Sequence, residues 1–199
     1  MKFDILIAGV GGQGTVLASR LLAAAAIKAG CFARTSETIG MAQRGGCVVS
    51  HVRIGSEQSG PVIPYGTADL LIGFEPAEAA RNIGRLAPDG KCVVNARVIK
   101  PVSASLDAVS YDVDTIFEFI DRNSSETVMV DGYALAEEAG SVKALNVTLL
   151  GVAAAAGFLP FSKDDIKSVI SENVSRKYIE LNKRAFDIGA AYKKRTFGK

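Results

Sequence analysis

The 199-residue chain has one histidine and three cysteines, and none of the cysteines forms a Cys-x-x-Cys pair. Cys31, Cys47 and Cys92 fall in apparent strands, where a thiol behaves as a small buried hydrophobe, so no iron–sulfur cluster or structural zinc supplied by this chain alone is expected. An excess of charge is missing too. Twenty-three Lys and Arg against 21 Asp and Glu leave a net charge of +2, which offers no overall field for nucleic acid or an anionic membrane. No apolar run reaches the ~20 residues that span a bilayer, and no secretory leader is expected before the first strand. The expectation is a cytoplasmic protein with no nucleic-acid and no membrane partner. With 48% hydrophobic residues, the chain suits one domain over 1–199 that buries a real core, helical in its C-terminal part from about residue 141.

What is present starts at the N-terminus. Phe3, Ile5, Leu6, Ile7 and Ala8 form a near-continuous apolar run of strand length, as in a parallel strand covered on both faces. It runs into Gly9, Gly11 and Gly14, spaced G-x-G-x-x-G, and then into helix formers from Thr15. That arrangement permits a tight turn and a close backbone approach to phosphate, with free N–H groups and a helix dipole facing an anion. A tight turn with no ligand fits the same spacing. Gly12 and Gln13 are atypical of a dinucleotide loop, and the acidic residue sought about 20 positions on for a ribose hydroxyl is Glu37 or none.

Periodicity predicts a first helix from Thr15 to Ala29, ended by Gly30, and strands at Cys31 to Thr35, Cys47 to Ile54, Asp69 to Phe74, Lys91 to Asn95 and Thr127 to Val130. Helices are expected at Pro76 to Leu86 and Thr115 to Arg122. Strands alternating with helices imply an α/β, three-layer, mostly parallel Rossmann-like sheet. Val48 to Ile54 should be an antiparallel excursion, with Gly55-Ser56-Glu57 as a hairpin turn. Ala144 to Ala156 is apolar on nearly every side and must be buried in the core or against a partner. Ser162 with Asp165 marks a capping box for a helix to about Val174, and Lys177 to Tyr192 an amphipathic outer helix ending in a solvated Lys193-Lys194-Arg195 tail.

Ligands of open parallel sheets collect at the strands' carboxyl ends. There the strands deliver Gly9 to Thr15, Ser36-Glu37-Thr38, Glu75, Asn95-Ala96-Arg97 and Asp131-Gly132. Singly, Glu75, Asn95 and Asp131 could be helix or turn caps; together they point to a site. Arg44, before two glycines, is able to reach an anion or to pair with an acid such as Glu37 or Glu75. His51 has no paired nucleophile in the sequence and reads as a packing or surface residue rather than a general base.

Gly-Val-Gly-Gly-Gln-Gly at 9–14, Gly-Met-Ala-Gln-Arg-Gly-Gly at 40–46, Ala-Asp-Leu-Leu-Ile-Gly-Phe-Glu-Pro at 68–76, Asn-Ala-Arg at 95–97 and Asn-Val-Thr-Leu-Leu-Gly at 146–151 together resemble the gamma-type domain of 2-oxoacid:ferredoxin oxidoreductases. The closest likeness is to the small beta subunits of the indolepyruvate enzymes, and it covers essentially the whole chain. The resemblance implies a non-autonomous subunit of a complex that oxidatively decarboxylates an aryl 2-oxoacid, passes electrons to ferredoxin and transfers the acyl group to coenzyme A. It implies that thiamine diphosphate, Mg²⁺ and 4Fe-4S clusters reside on a large catalytic alpha subunit. The residues offered to coenzyme A, or an equivalent anion, are Gly9, Gly11, Gly12, Gln13, Gly14, Thr15 and Arg44, with no catalytic residue and no metal ligand in this chain. Two other readings fit the glycine loop: a stand-alone NAD- or FAD-type oxidoreductase, and a regulatory nucleotide-binding module.

Overall fold

In the computed structural model, which describes residues 1–39, 45–55, 57, 60–99 and 112–193, the strands are β1 (Phe3–Val10), β2 (Ala33–Ile39), β3 (Cys47–Ile54), β4 (Ala68–Gly73), β5 (Leu86–Asn95) and β6 (Glu126–Val130). Seven α-helices accompany them among the described residues: α1 (Thr15–Lys28), α2 (Pro76–Asn82), α3 (Val113–Arg122), α4 (Gly132–Glu138), α5 (Leu145–Ala155), α6 (Lys163–Asn173) and α7 (Ile179–Ala190). The sheet order is β2-β3-β1-β4-β5-β6. β1, β4, β5 and β6 pair in parallel, while β3 is antiparallel to both β1 and β2, as the sequence suggested. β2 therefore runs with β1, and five of the six strands end at one edge. The hairpin turn expected at Gly55-Ser56-Glu57 includes a residue outside the described ones; the next described strand, β4, pairs with β1 and not with β3.

Side-chain alternation along β1 divides the core into two layers. Ile5 and Ile7 face α1 and α5, with Val52, Leu70, Ile72 and Val93 beside them. Leu6 and Ala8 face the opposite side, where Ala79 of α2, Ile120 of α3, Leu71, Cys92 and Val94 complete a smaller cluster. The result is a three-layer α/β/α arrangement.

Every residue of α5 from Leu145 to Ala153 is buried. α7, α4 and α1 pack around it over the sheet, so its all-round apolar surface is used inside this chain and leaves no face for a partner. Fully burying a side chain such as Leu149 or Leu150 stabilises by about 1.5–3 kcal/mol. The α5–α7 crossing is set by glycine: a Cβ on Gly189 would lie 2.2 Å from the Thr148 carbonyl, and one on Gly151 would lie 2.3 Å from the Phe186 carbonyl.

On the other face a buried ion pair holds down the chain between β3 and β4. Arg53 donates through Nε and Nη2 to the Asp4 carboxylate at 3.1 and 2.9 Å, and through Nη1 to the carbonyls of Gly60 and Val62. His51 accepts from the Ile63 N–H at 3.2 Å. Burial, then the Arg85 and Arg53 guanidinium groups, lower its pKa to about 4, so the ring is neutral and free to accept. The expected packing role for His51 is what the fold uses.

Candidate functional site

β1 ends at Val10, and the chain then turns through the glycines into α1. Gly14 is the N-cap at φ 82°, and Gly12 lies at φ 104°, both in the left-handed region that favours glycine. The turn is closed by Gln13 N–H to the Val10 carbonyl at 3.2 Å. Gly11 extends the β1–β3 ladder, its N–H donating to the Gly46 carbonyl at 2.8 Å. Among the described residues, the N–H groups of Gly12, Gly14, Thr15, Val16 and Leu17 meet no backbone acceptor. Thr15, Val16 and Leu17 open a 14-residue helix, and N–H groups at such a terminus carry partial positive charge, which is able to attract an anion.

Three buried carboxamides hold the turn in shape. Gln13 Oε1 accepts from the Val10 N–H at 2.8 Å, and Gln13 Nε2 donates to the Phe74 carbonyl at 3.0 Å and to the Tyr133 hydroxyl at 3.2 Å. Asn95 Nδ2 donates to the same Phe74 carbonyl at 3.0 Å, while Asn95 Oδ1 accepts from Gly132 N–H. Asn146, at the start of α5, donates to the Gly14 carbonyl at 3.3 Å. A Cβ on Gly14 would lie 2.5 Å from Asn146 Nδ2, and a Cβ on Gly9 would lie 2.7 Å from Gln13 Oε1. Gly9 and Gly14 are thus required by close packing of helix and strand around the turn.

Of the residues expected at the site, Gly9, Gly11, Gly12, Gln13, Gly14 and Thr15 come together at this edge, and Arg44 lies outside the described residues. Gln13 points inward, consumed by protein partners, and Gly11 spends its amide on the sheet. Glu75 caps α2 by accepting from Glu78 N–H, and Asp131 caps α4 by accepting from Ala134 N–H, the structural alternatives for both. Glu37 is not beyond the end of β2 but within it, because the strand continues to Ile39; its carboxylate accepts from Ser19 of α1 at 3.2 Å. Cys31 precedes β2 and is half-buried, and Cys47 is exposed, so only Cys92 is the buried thiol expected of all three. Burial pushes its pKa up to about 12.

Tyr133 and Asn146 were not anticipated as site residues. Asn146 opens one of the quoted motifs, but its reach back to Gly14 across 132 positions has no local signature. Tyr133 follows the Asp131-Gly132 pair, and α4 was too short to show periodicity. Among the described residues no three His, Cys, Asp or Glu side chains gather as a metal ion requires, and no helix is long and apolar enough to cross a membrane.

The family pattern described as pyruvate ferredoxin/flavodoxin oxidoreductase matches residues 4–192. The indolepyruvate oxidoreductase subunit IorB of Thermococcus kodakarensis is 38% identical over 199 residues, covering 99% of this chain and 98% of its own length. The gamma subunit of a keto/oxoacid ferredoxin oxidoreductase from Geobacter sulfurreducens shares the fold with a TM-score of 0.68 at 24% identity, over 94% of this chain and 95% of that one. A 2-oxoglutarate:ferredoxin oxidoreductase from Magnetococcus marinus, solved with 2-oxoglutarate, coenzyme A and succinyl-CoA, shares it with a TM-score of 0.69 at 21% identity; 98% of this chain covers 32% of that one. These relatives do not favour a stand-alone dinucleotide enzyme or a regulatory module. The chain belongs to the pyruvate ferredoxin/flavodoxin oxidoreductase family, as an oxidoreductase subunit.

Proposed function

We propose that this chain, as one domain over 1–199, is the small subunit of an indolepyruvate, or aryl 2-oxoacid, ferredoxin oxidoreductase, and that its glycine edge holds an anionic group of coenzyme A. The reaction is R–CO–COO⁻ + CoA–SH → R–CO–S–CoA + CO₂ + H⁺ + 2e⁻, with ferredoxin taking the electrons and the larger alpha subunit carrying thiamine diphosphate, Mg²⁺ and 4Fe-4S clusters. Those groups supply the carbon–carbon cleavage and electron transfer, and the described side chains of this subunit offer no donor set for them. The supporting observation is the set of N–H groups on Gly12, Gly14, Thr15, Val16 and Leu17 that meet no backbone acceptor among the described residues, fixed before the ligand arrives and so costing little reorganisation. Gly12, Gly14 and Thr15 supply the direct contacts, Arg44 adds a positive charge, and Gly9, Gly11 and Gln13 set the loop's shape.

The test is made on the assembled complex, purified without oxygen through this chain. A large, brown, cluster-bearing partner is expected to accompany it. Gly12→Asp places a carboxylate beside the N–H groups, where among the described residues nothing lies within 4 Å of a Cβ. It should raise the KM for coenzyme A about tenfold or more, because a like charge replaces an attractive seat. An unchanged KM refutes the assignment, and dissociation of the complex assigns the loop to subunit docking.

A further inference from the structure

Lys143, Arg176, Lys177 and Arg184 are exposed, and among the described residues no carboxylate forms an ion pair with any of them. Elsewhere Lys28, Arg122 and Lys167 meet carboxylates at 2.6, 2.9 and 2.9 Å. Arg184 donates instead to the Glu138 carbonyl at 2.8 Å. The four cations share one corner, because two turns of 3-10 helix, Val142–Ala144 and Arg176–Tyr178, both contact α7. Ala139, Ala144 and Ala185 form a small buried cluster there, with Leu181 and Ile188 against it. Two large apolar side chains stand among the charges, Tyr178 at 47% exposure and Val142 at 41%. The Tyr178 carbonyl accepts from the buried Asn182 carboxamide at 2.8 Å, and Lys177 Nζ lies 4.7 Å from the ring centroid. The backbone beneath the ring is thus fixed before any partner arrives, and the ring already carries a cation.

We propose that this corner docks an acidic surface of the larger partner subunit, with Tyr178 and Val142 as apolar anchors and the four cations around them. The assignment rests on the reading of this chain as one subunit beside a larger one, and adds where the two meet. Cations gathered without counter-charges repel one another, and an opposing acidic surface relieves that repulsion and steers the encounter. A tyrosine ringed by charge is also the composition that protein interfaces favour. Glu180 projects into solvent within the same corner, 4.0 Å from Lys183. It would repel the unbroken negative charge of nucleic acid or of an anionic bilayer, whereas a folded partner is able to place a cation or a gap opposite it. Lys143 lies three residues before Asn146, which donates to the Gly14 carbonyl at 3.3 Å, so a subunit docked here borders the glycine turn.

The experiment measures the dissociation constant of the complex between this full chain and its larger subunit, purified without oxygen and diluted at low and at high salt. Lys143→Glu and Arg176→Glu should each weaken association about tenfold at low salt, and about a hundredfold together. Lys2→Glu, before β1 at the opposite edge of the sheet, should stay within about twofold of the parent. High salt should weaken the parent complex and narrow its lead over the charge variants, because exposed charges are screened. Tyr178→Ala should weaken association about tenfold at both salt levels, as an apolar anchor would. All four substitutions are at exposed positions and should leave the melting of the chain without a partner nearly unchanged. Charge variants within about twofold of Lys2→Glu at low salt overturn the docking surface and leave the larger partner standing. A parent chain that purifies without any larger subunit overturns the subunit reading and the proposal together. Self-association of the chain, or binding to nucleic acid or anionic lipid vesicles, that the charge variants abolish gives the corner a different occupant and overturns the proposal as well.

Discussion

His51 shows how a single side chain makes stability depend on pH. Its folded-state pKa of about 4 lies below the ordinary value of 6.5, so between these values the unfolded chain binds the proton and the folded one does not. Stability is therefore full above pH 6.5 and falls as pH drops from 6.5 towards 4, by up to about 3 kcal/mol for this one group. His51→Asn places an oxygen near the Nδ1 position, able to accept from Ile63 N–H but not to take up a proton. Urea unfolding of the chain at pH 7 and pH 5 should show a smaller difference in this variant than in the parent; an equal difference would remove His51 as its source. Beside it, Asp4→Ala leaves Arg53 buried with only carbonyl partners and should cost about 3–5 kcal/mol, read as a drop in urea midpoint. The role of His51 was legible in the sequence because no nucleophile accompanied it. The Asp4–Arg53 pair was not, since only the antiparallel register of β1 and β3 places residues 49 positions apart opposite each other.

At the scale of the element, legibility followed the strength of the local signal. The capping box of α6 was read from Ser162 and Asp165 and is present with both reciprocal bonds. The helix expected over Pro76 to Leu86 ends instead at Asn82, with Ile83–Arg85 a turn of 3-10 helix and Leu86 already in β5. Gly84, just past the C-cap Ile83, marks that stop in the sequence, and parallel pairing of β5 with β4, which sets Leu86 opposite Ala68, fixes it. α5 was recognised as an all-round apolar helix, but whether its cover came from this chain or another depended on where α7 would fall. Their contact yields a prediction that runs against helix propensity. Gly189→Ala should favour an isolated helix by about 1 kcal/mol, yet its Cβ would lie 2.2 Å from backbone oxygen that cannot swing aside. The helices must separate, and the net effect should be destabilisation of about 1–3 kcal/mol. A melting temperature at or above the parent's would show that the crossing is not tightly constrained.

Across the whole molecule, five strand ends share one edge because β3 alone reverses direction, and that edge gathers the glycine turn, the start of α5 and the carboxamides of Gln13, Asn95 and Asn146. The sequence motifs located the edge, whereas its internal bonding joins residues as far apart as Gln13 and Tyr133 and emerged only with the fold. The motifs thus divide into residues that shape the edge and residues that face outward, and stability measurements on the chain without a partner separate the two. α5 is covered by helices of the same chain, so the isolated chain should unfold cooperatively. Gly14→Ala combines a left-handed φ of 82° with a Cβ 2.5 Å from Asn146 Nδ2, which adds overpacking to backbone strain; a loss of about 2–4 kcal/mol is expected. Gly12→Asp meets no atom of the described residues within 4 Å of its Cβ and should lose only the strain, about 1–2 kcal/mol. If both variants lower the urea midpoint of the isolated chain equally, Gly12 also shapes the fold, and a coenzyme A defect in the complex would no longer report on ligand contact. A clearly smaller loss for Gly12→Asp makes its effect on coenzyme A a measure of the outward face of the edge.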